Sequence, residues 1–169
     1  IRRFGLKHEA RALAEAAGVP LTPGTGLLAN LDEAVAHATR LGYPLMLKST
    51  AGGGGIGLTR CDNEAALVAA FETVQRQGQN FFSDSGVFLE RYVENARHVE
   101  VQMFGDGKGR VVALGARDCS LQRRNQKVVE ETPAPNLPPA TRTALLDAAV
   151  RLGESVGYAN AGTVEFIYD

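Results

Sequence analysis

Tyr43-Pro-Leu-Met-Leu-Lys-Ser-Thr-Ala-Gly-Gly-Gly-Gly-Ile-Gly57 is the stretch on which the fold turns. Its apolar run ends in Lys48 and reads as a buried strand delivering one cation to a sheet edge. Gly52, Gly53, Gly54 and Gly55 carry no side chains, so their amide groups can be brought directly against an anion. A lysine beside such a loop suggests phosphate binding; a flexible surface loop is the plain alternative. Gly52, Gly54 and Gly57 formally satisfy G-x-G-x-x-G. A dinucleotide fold needs a helix to begin there, and the residues that follow are instead β-like. In a Walker loop the lysine follows the glycines, whereas Lys48 precedes them. What remains is a glycine loop joining two antiparallel strands, a hairpin lid laid over phosphates.

Working outward, Leu6, Ala10, Leu13, Ala14 and Ala17 make a helical stripe that Gly18 and Pro20 bring to an end. Lys7 lies at its start and, read alone, is a solvated surface cation. A second helix is predicted over 31–41. After the strand to Lys48 and the glycine loop comes a return strand, Ile56 to Arg60, and then a helix opened by Asp62 or Asn63 and ended by Gly78. The strand Gly86 to Val93 closes this unit, which spans 22–93.

From Arg97 the pattern becomes strict alternation. Val99, Val101 and Met103 point one way; His98, Glu100 and Gln102 point the other. Gly105 to Gly109 reads as a hairpin loop and Arg110 to Leu114 as its return strand. Arg117 to Lys127 is too polar for a core strand. A proline-rich break, Pro133 to Pro139, leads to a helix reaching about Val156 and then a strand from Gly162 to Tyr168. In that strand Glu165 sits between apolar neighbours, where a carboxylate costs several kcal/mol unless it is paired or bound to a cation.

Composition sets the outer limits. The chain has 169 residues, 44% hydrophobic and 22% charged, as globular proteins have. A net charge of −1 makes no electrostatic case for nucleic acid or an anionic membrane. No apolar run reaches the roughly 18 residues that a bilayer requires. Cys61 and Cys119 lack metal spacing, so a reducing, cytoplasmic setting is expected. The chain opens at Ile1 and stops at Asp169 inside the last strand, as a piece of a longer protein would.

Three side chains carry candidate chemistry. Glu165 suits Mg²⁺ held jointly with nucleotide phosphates, or a salt bridge on a half-exposed strand. His98 suits a sugar hydroxyl as a neutral imidazole, or a structural hydrogen bond. Lys127 ends a run with Arg123 and Arg124, three cations that repel unless they diverge or share an anion.

Taken together, five segments resemble the biotin carboxylase family of ATP-grasp enzymes. They are Lys48 with Gly52 to Gly57, Glu90-Arg-Tyr-Val93, Arg97 to Gln102, Arg117-Asp-Cys-Ser-Leu-Gln-Arg-Arg-Asn-Gln-Lys-Val-Val-Glu-Glu131, and Gly162 to Phe166. The match keeps order and spacing over essentially the whole chain. Asn125, where many members have histidine, and the opening Phe4-Gly-Leu-Lys-His-Glu-Ala-Arg are similar to the urea carboxylase branch.

The resemblance implies an α+β, ATP-grasp fold. Residues 1–21 would lead in from a preceding domain. Residues 22–93 would form the lid subdomain, and 94–169 the first part of a larger antiparallel-sheet subdomain. Lys7 and Lys48 would contact ATP phosphates under the glycine loop. Glu90 and the backbone of Arg91, Tyr92 and Val93 would read the adenine edge, with Met46, Leu58, Val93 and Ile167 as apolar walls. His98, Gln122 and Asn125 would lie around ribose and phosphates. Glu165 would bridge Mg²⁺ (or Mn²⁺), and Lys127 would sit near bicarbonate.

The implied reaction is phosphorylation of bicarbonate by ATP and carboxylation of a biotin carried on another domain. A carboxyltransferase domain would then pass the group to urea or another acceptor. A second metal glutamate and an Asn-x-Arg-x-Gln-x-Glu stretch are expected beyond Asp169, so residues 1–169 alone are expected not to turn over. Two other readings stand beside this one. One is the biotin carboxylase of another acyl-CoA or pyruvate carboxylase, and the other is an ATP-grasp nucleotide-binding domain without chemistry.

Overall fold

A computed structural model describes residues 4–51, 56–124 and 126–169. The chain divides into two compact units, Ile1–Arg11 with Thr22–Tyr92, and Ala12–Leu21 with Val93–Asp169. Helix α1 (Lys7–Ala16) contributes residues to both.

In the first unit, strands β1 (Leu45–Ser49), β2 (Leu58–Cys61) and β3 (Val87–Arg91) form an antiparallel sheet in the order β2-β1-β3. Period-two alternation along β1 sends Leu45, Leu47 and Ser49 into the interior, while Met46 and Lys48 take the opposite face. Leu45 and Leu47 pack with Val87 and Leu89 of β3 against helices α2 (Leu31–Leu41) and α3 (Glu64–Phe82). Both helices open on asparagine. The Asn30 side chain accepts from the Glu33 amide at 2.9 Å, and the Glu33 carboxylate accepts from the Ala29 amide at 2.7 Å. Asn63, not Asp62, caps α3 by accepting from the Ala66 amide. Each cap satisfies a donor that the first helical turn leaves open.

Gly78 does not end α3, contrary to the sequence expectation. The helix continues to Phe82 and stops at Ser83, which takes the left-handed conformation at φ 57°. Gly78 serves close packing instead. A Cβ there would lie 2.4 Å from the Asp84 carbonyl oxygen and 2.5 Å from Ser49 Oγ.

Of the glycine loop, Gly52 to Gly55 lie outside the described residues. Gly57 is buried at φ +73°, and its carbonyl accepts the Ser49 amide at 2.7 Å. β1 and β2 flank the loop as an antiparallel pair, with Lys48 opposite Leu58.

The second unit is built on β4 (Arg97–Asp106), flanked by β5 (Val111–Asp118) and β8 (Ala159–Tyr168) in an antiparallel sheet ordered β5-β4-β8. β5 extends through Arg117 and Asp118, which the sequence had suggested were too polar for a strand. A two-stranded hairpin, β6 (Gln122–Arg123) and β7 (Gln126–Lys127), follows. Val99, Val101 and Met103 are buried, as their alternation implies. Helix α4 (Pro139–Ser155) covers this face with Leu145, Ala149 and Leu152, and its Gly153 admits Met103 and Val111. The other face of β4 carries His98, Glu100 and Gln102.

Gly78→Ala is expected to lose about 1–3 kcal/mol through overpacking against the Asp84 backbone. Gly26→Ala, whose Cβ meets nothing within 4 Å, stays close to wild type. Urea unfolding of both variants checks this, and equal midpoints would show that α3 can move aside.

Candidate functional site

In the first unit the register sets Met46 opposite Glu90, bringing the Glu90 carboxylate beside Lys48. Glu90 Oε2 accepts from Lys48 Nζ, and Oε1 accepts from the Arg11 guanidinium. Lys7 donates its backbone amide to the Thr50 carbonyl at 3.0 Å and its ammonium to the Ser49 carbonyl at 3.4 Å. Burial, and next the neighbouring Lys48 charge, push the Lys7 ammonium below its ordinary pKa, partly offset by Glu90. Crowded cations beside one carboxylate form a ready receptor for an anion. The Arg91 side chain donates to the Leu41 carbonyl at 2.6 Å, and Arg60 lies 4.4 Å over the Tyr92 ring. The amides of Arg91 and Tyr92 donate to the Pro23 and Pro44 carbonyls. Those two donors are therefore committed to the fold. Met46 and Leu58 are half-buried.

In the second unit Glu100 is only 1% exposed, on the central strand, directly across from Arg117 on one side and Glu165 on the other. Arg117 Nε donates to Glu100 Oε1 at 2.8 Å, with a second contact from Nη2, and its Nη1 reaches Gln102 Oε1 at 3.0 Å. Lys127 Nζ donates to Glu100 Oε2 and, at 2.9 Å, to Glu165 Oε1. Burial alone would raise the Glu100 carboxyl pKa. Hydrogen bonds from Lys127 and Arg117 outweigh it and hold the group below 4.5. Lys127 is displaced the other way: burial would lower it, but its bonds to Glu100 and Glu165 keep it well above the ordinary lysine value. The ammonium is a fixed positive charge at neutral pH.

His98 shares the face. Gln122 Nε2 donates to His98 Nδ1 and to the Cys119 carbonyl, both at 2.9 Å. With Nδ1 accepting, the ring proton belongs on Nε2, which lies 3.4 Å from Glu165 Oε1. His98, Glu100 and Glu165 present ligand atoms within 4.8 Å of one another. Ile167, opposite His98, is exposed, and Val93 is half-buried. Asn125 lies outside the described residues.

Comparison with known proteins decides the family. The model of the family described as carbamoyl-phosphate synthase L chain, ATP binding domain matches residues 7–169. The chain belongs to this family. Within it, the chain is 63% identical over its whole length to urea amidolyase of Lachancea kluyveri, covering 9% of that protein. It is 52% identical to a putative urea carboxylase of Emericella nidulans, of which it covers 14%. It is 46% identical to biotin carboxylase 2 of Bacillus subtilis, of which it covers 38%. The biotin carboxylase domain of Hydrogenobacter thermophilus 2-oxoglutarate carboxylase, crystallised with MgADP, ADP and bicarbonate, superposes with a TM-score of 0.95 at 42% identity. That match covers 99% of this chain and 37% of the other. Campylobacter jejuni biotin carboxylase, as its beta-gamma-ATP complex, also gives 0.95 at 42% identity, covering 98% of this chain and 37% of that one. The chain thus spans well under half of each of these relatives. Its fold is α+β, with the antiparallel sheets of biotin carboxylase ATP-grasp domains.

Within this ATP-binding-domain family member, the structure selects among the readings the sequence left open for two residues. Glu165 is not the buried carboxylate. Its side chain is 55% exposed, because β8 pairs only with β4 among the described residues, and Glu100 is the group that burial forces into ion pairs. Lys127 does not share an anion with Arg123 and Arg124. Those two are exposed, while Lys127 turns to the two glutamates. Residues that the sequence reading did not single out are Arg11, Glu100 and Arg117. The pairing of Glu100 with Arg117 depends on strand register, for which Gly105 to Gly109 was the only sequence signal.

Glu100→Gln leaves Lys127 and Arg117 without their buried counter-charge and is expected to cost about 3 kcal/mol at pH 7. A carboxyl with a lowered folded-state pKa contributes stability that is present above its unfolded value and lost as pH falls through the folded one. The gap between wild type and variant therefore narrows on acidification below about pH 4.5. Urea unfolding at several pH values measures it; a gap independent of pH would remove Glu100 from the account.

Proposed function

We propose that this chain is the central ATP-binding portion of an ATP- and bicarbonate-dependent biotin carboxylase, in an enzyme of the urea carboxylase type. The supporting observation is Lys127 held between Glu100 and Glu165, beside an oriented His98, in a chain 63% identical throughout to a urea amidolyase. The crystallised relative that holds MgADP and bicarbonate supports both ligands for this chain.

In this reading residues 22–93 act as the lid subdomain and 94–169 as the first part of the larger sheet subdomain. Lys48 and Lys7 take nucleotide phosphates, and the amides of Gly52 to Gly55, with Gly57, approach them. With the amides of Arg91 and Tyr92 committed to Pro23 and Pro44, Glu90 and the other backbone groups of Arg91, Tyr92 and Val93 meet the adenine edge. Met46, Leu58, Val93 and Ile167 offer apolar surface to the base. His98, holding its proton on Nε2, donates to a ribose or phosphate oxygen, with Gln122 keeping that tautomer and Asn125 nearby.

Phosphorylating bicarbonate requires crowded negative charge to be neutralised. Lys127 supplies a permanent positive charge for bicarbonate. The Glu165 carboxylate already faces a cation, the Lys127 ammonium, and a carboxylate oxygen is the donor type that a hard divalent ion takes. Glu165, exposed and bound through one oxygen, is the residue to hold Mg²⁺ (or Mn²⁺); Glu100, with both oxygens engaged, is not. The ion, when bound, supplies charge neutralisation at the phosphates. The biotin on its carrier domain and an acceptor, urea in the urea carboxylase branch, complete the proposed reaction in the cytoplasm.

The full-length protein is expected to cleave ATP only with bicarbonate and biotin or its carrier, and to form allophanate from urea. Lys127→Ala should reduce bicarbonate-dependent turnover by about 100-fold or more while nucleotide binding persists. Turnover that needs no bicarbonate would sink the carboxylase reading. Turnover on pyruvate or an acyl-CoA in place of urea would redirect only the acceptor.

A further inference from the structure

We propose that Arg11 is a positioning residue for the nucleotide phosphates: by occupying one oxygen of Glu90, it keeps that carboxylate from closing on Lys48 with both. The inference rests on the reading of Lys48 as a phosphate ligand.

The two residues are 79 positions apart and meet only in the fold. Arg11 Nη1 donates to Glu90 Oε1, and Lys48 Nζ donates to Oε2, so each carboxylate oxygen serves one cation. Arg11 is fixed on its far side as well, Nη2 donating to the Thr22 carbonyl at 2.9 Å. The loop that supplies Thr22 is laced to β3. The Thr25 amide donates to the Leu89 carbonyl at 2.8 Å, the Leu89 amide donates to Thr25 Oγ1 at 3.0 Å, and the Arg91 amide donates to the Pro23 carbonyl at 2.7 Å. Gly24 closes over the pair. A Cβ there would stand 3.0 Å from Arg11 Nη2 and 3.1 Å from Glu90 Cγ. The Arg11 and Glu90 side chains are 18% and 13% exposed, so solvent screens their contact little.

One cation of this trio is built to stay and the other to leave. A guanidinium is planar, always charged and here bonded at both ends of its fork; the Lys48 ammonium ends a flexible stem. With Arg11 in place the carboxylate is more than neutralised, and Lys7 adds a further positive charge close enough to oppose that of Lys48. An arriving phosphate then competes for Lys48 against half a carboxylate. Without Arg11 it would compete against a whole one.

The plain alternative is that Arg11 only pins the loop at Thr22. A double-mutant cycle separates the two roles. ADP binding to the full-length protein would be measured by calorimetry at fixed salt. Arg11→Met is expected to weaken ADP by about 10-fold, and Arg11→Lys, which keeps the charge, by less than about 3-fold. In a Glu90→Gln background, Arg11→Met should change affinity by less than about 2-fold, since no carboxylate remains to close on Lys48. Equal losses in both backgrounds overturn the proposal in favour of loop pinning. Arg11→Gln, which keeps an amide donor for Thr22, serves should Arg11→Met fail to fold. It is expected to lose affinity in the same way, and wild-type affinity in this variant also overturns the proposal. A wild-type protein that binds no ADP overturns the phosphate reading of Lys48 itself, whereas tight binding indifferent to Arg11 overturns this inference alone.

Discussion

The second unit depends on one buried charge. Glu100 stands on the middle strand of a three-stranded sheet with almost no access to water, and an isolated carboxylate there would shed its charge or unfold its surroundings. Arg117, from the adjoining strand, and Lys127, from the hairpin that follows, meet that demand from two directions. The constraint runs outward from there. The pairing of β4 with β5 has to place Arg117 across from Glu100. β7 has to bring Lys127 back over the sheet, and Glu165 then comes within its reach. Removing the central carboxylate would leave Lys127 and Arg117 only their exposed partners, Glu165 and Glu130, so the polar cluster is held as a set and not as a list of pairs.

The first unit solves a related problem with less burial. Along β1 the alternation that places Leu45 and Leu47 in the core sets Met46 and Lys48 on the other face, so the cation follows from the hydrophobic pattern that makes the strand. Glu90 meets it from β3 because the two strands run antiparallel in a fixed register. Polar groups in both units are thus aimed by the same period-two rule that builds their cores.

That rule also explains what could be read from the chain. The strand carrying Lys48, the antiparallel return strand after it, and the buried Val99, Val101 and Met103 follow from local periodicity, and the structure has them. Segments quoted for the family resemblance supplied the ATP-grasp fold. Three things were hidden because they depend on partners distant in sequence. Gly78 reads as a helix stop until Asp84 and Ser49 are seen against it. Glu100 and Glu165 are alike in their local pattern, each flanked by apolar residues on a strand. Only the order β5-β4-β8 makes one central and the other exposed. Arg11 carries no local signal on its helix, and its partner lies on another element altogether.

Ser49 sits at a junction whose space is shared. A Cβ on Gly57 would come within 2.8 Å of Ser49 Cβ, and one on Gly78 within 2.5 Å of Ser49 Oγ. Volume at the three positions is therefore a single conserved quantity, to be redistributed among them but not increased. In related chains a larger residue at one of these sites should travel with a smaller one at another, so that the three vary as a group. The end of the β1–β2 pair and the flank of α3 are in that sense one packing unit, joined by an absence of side chains.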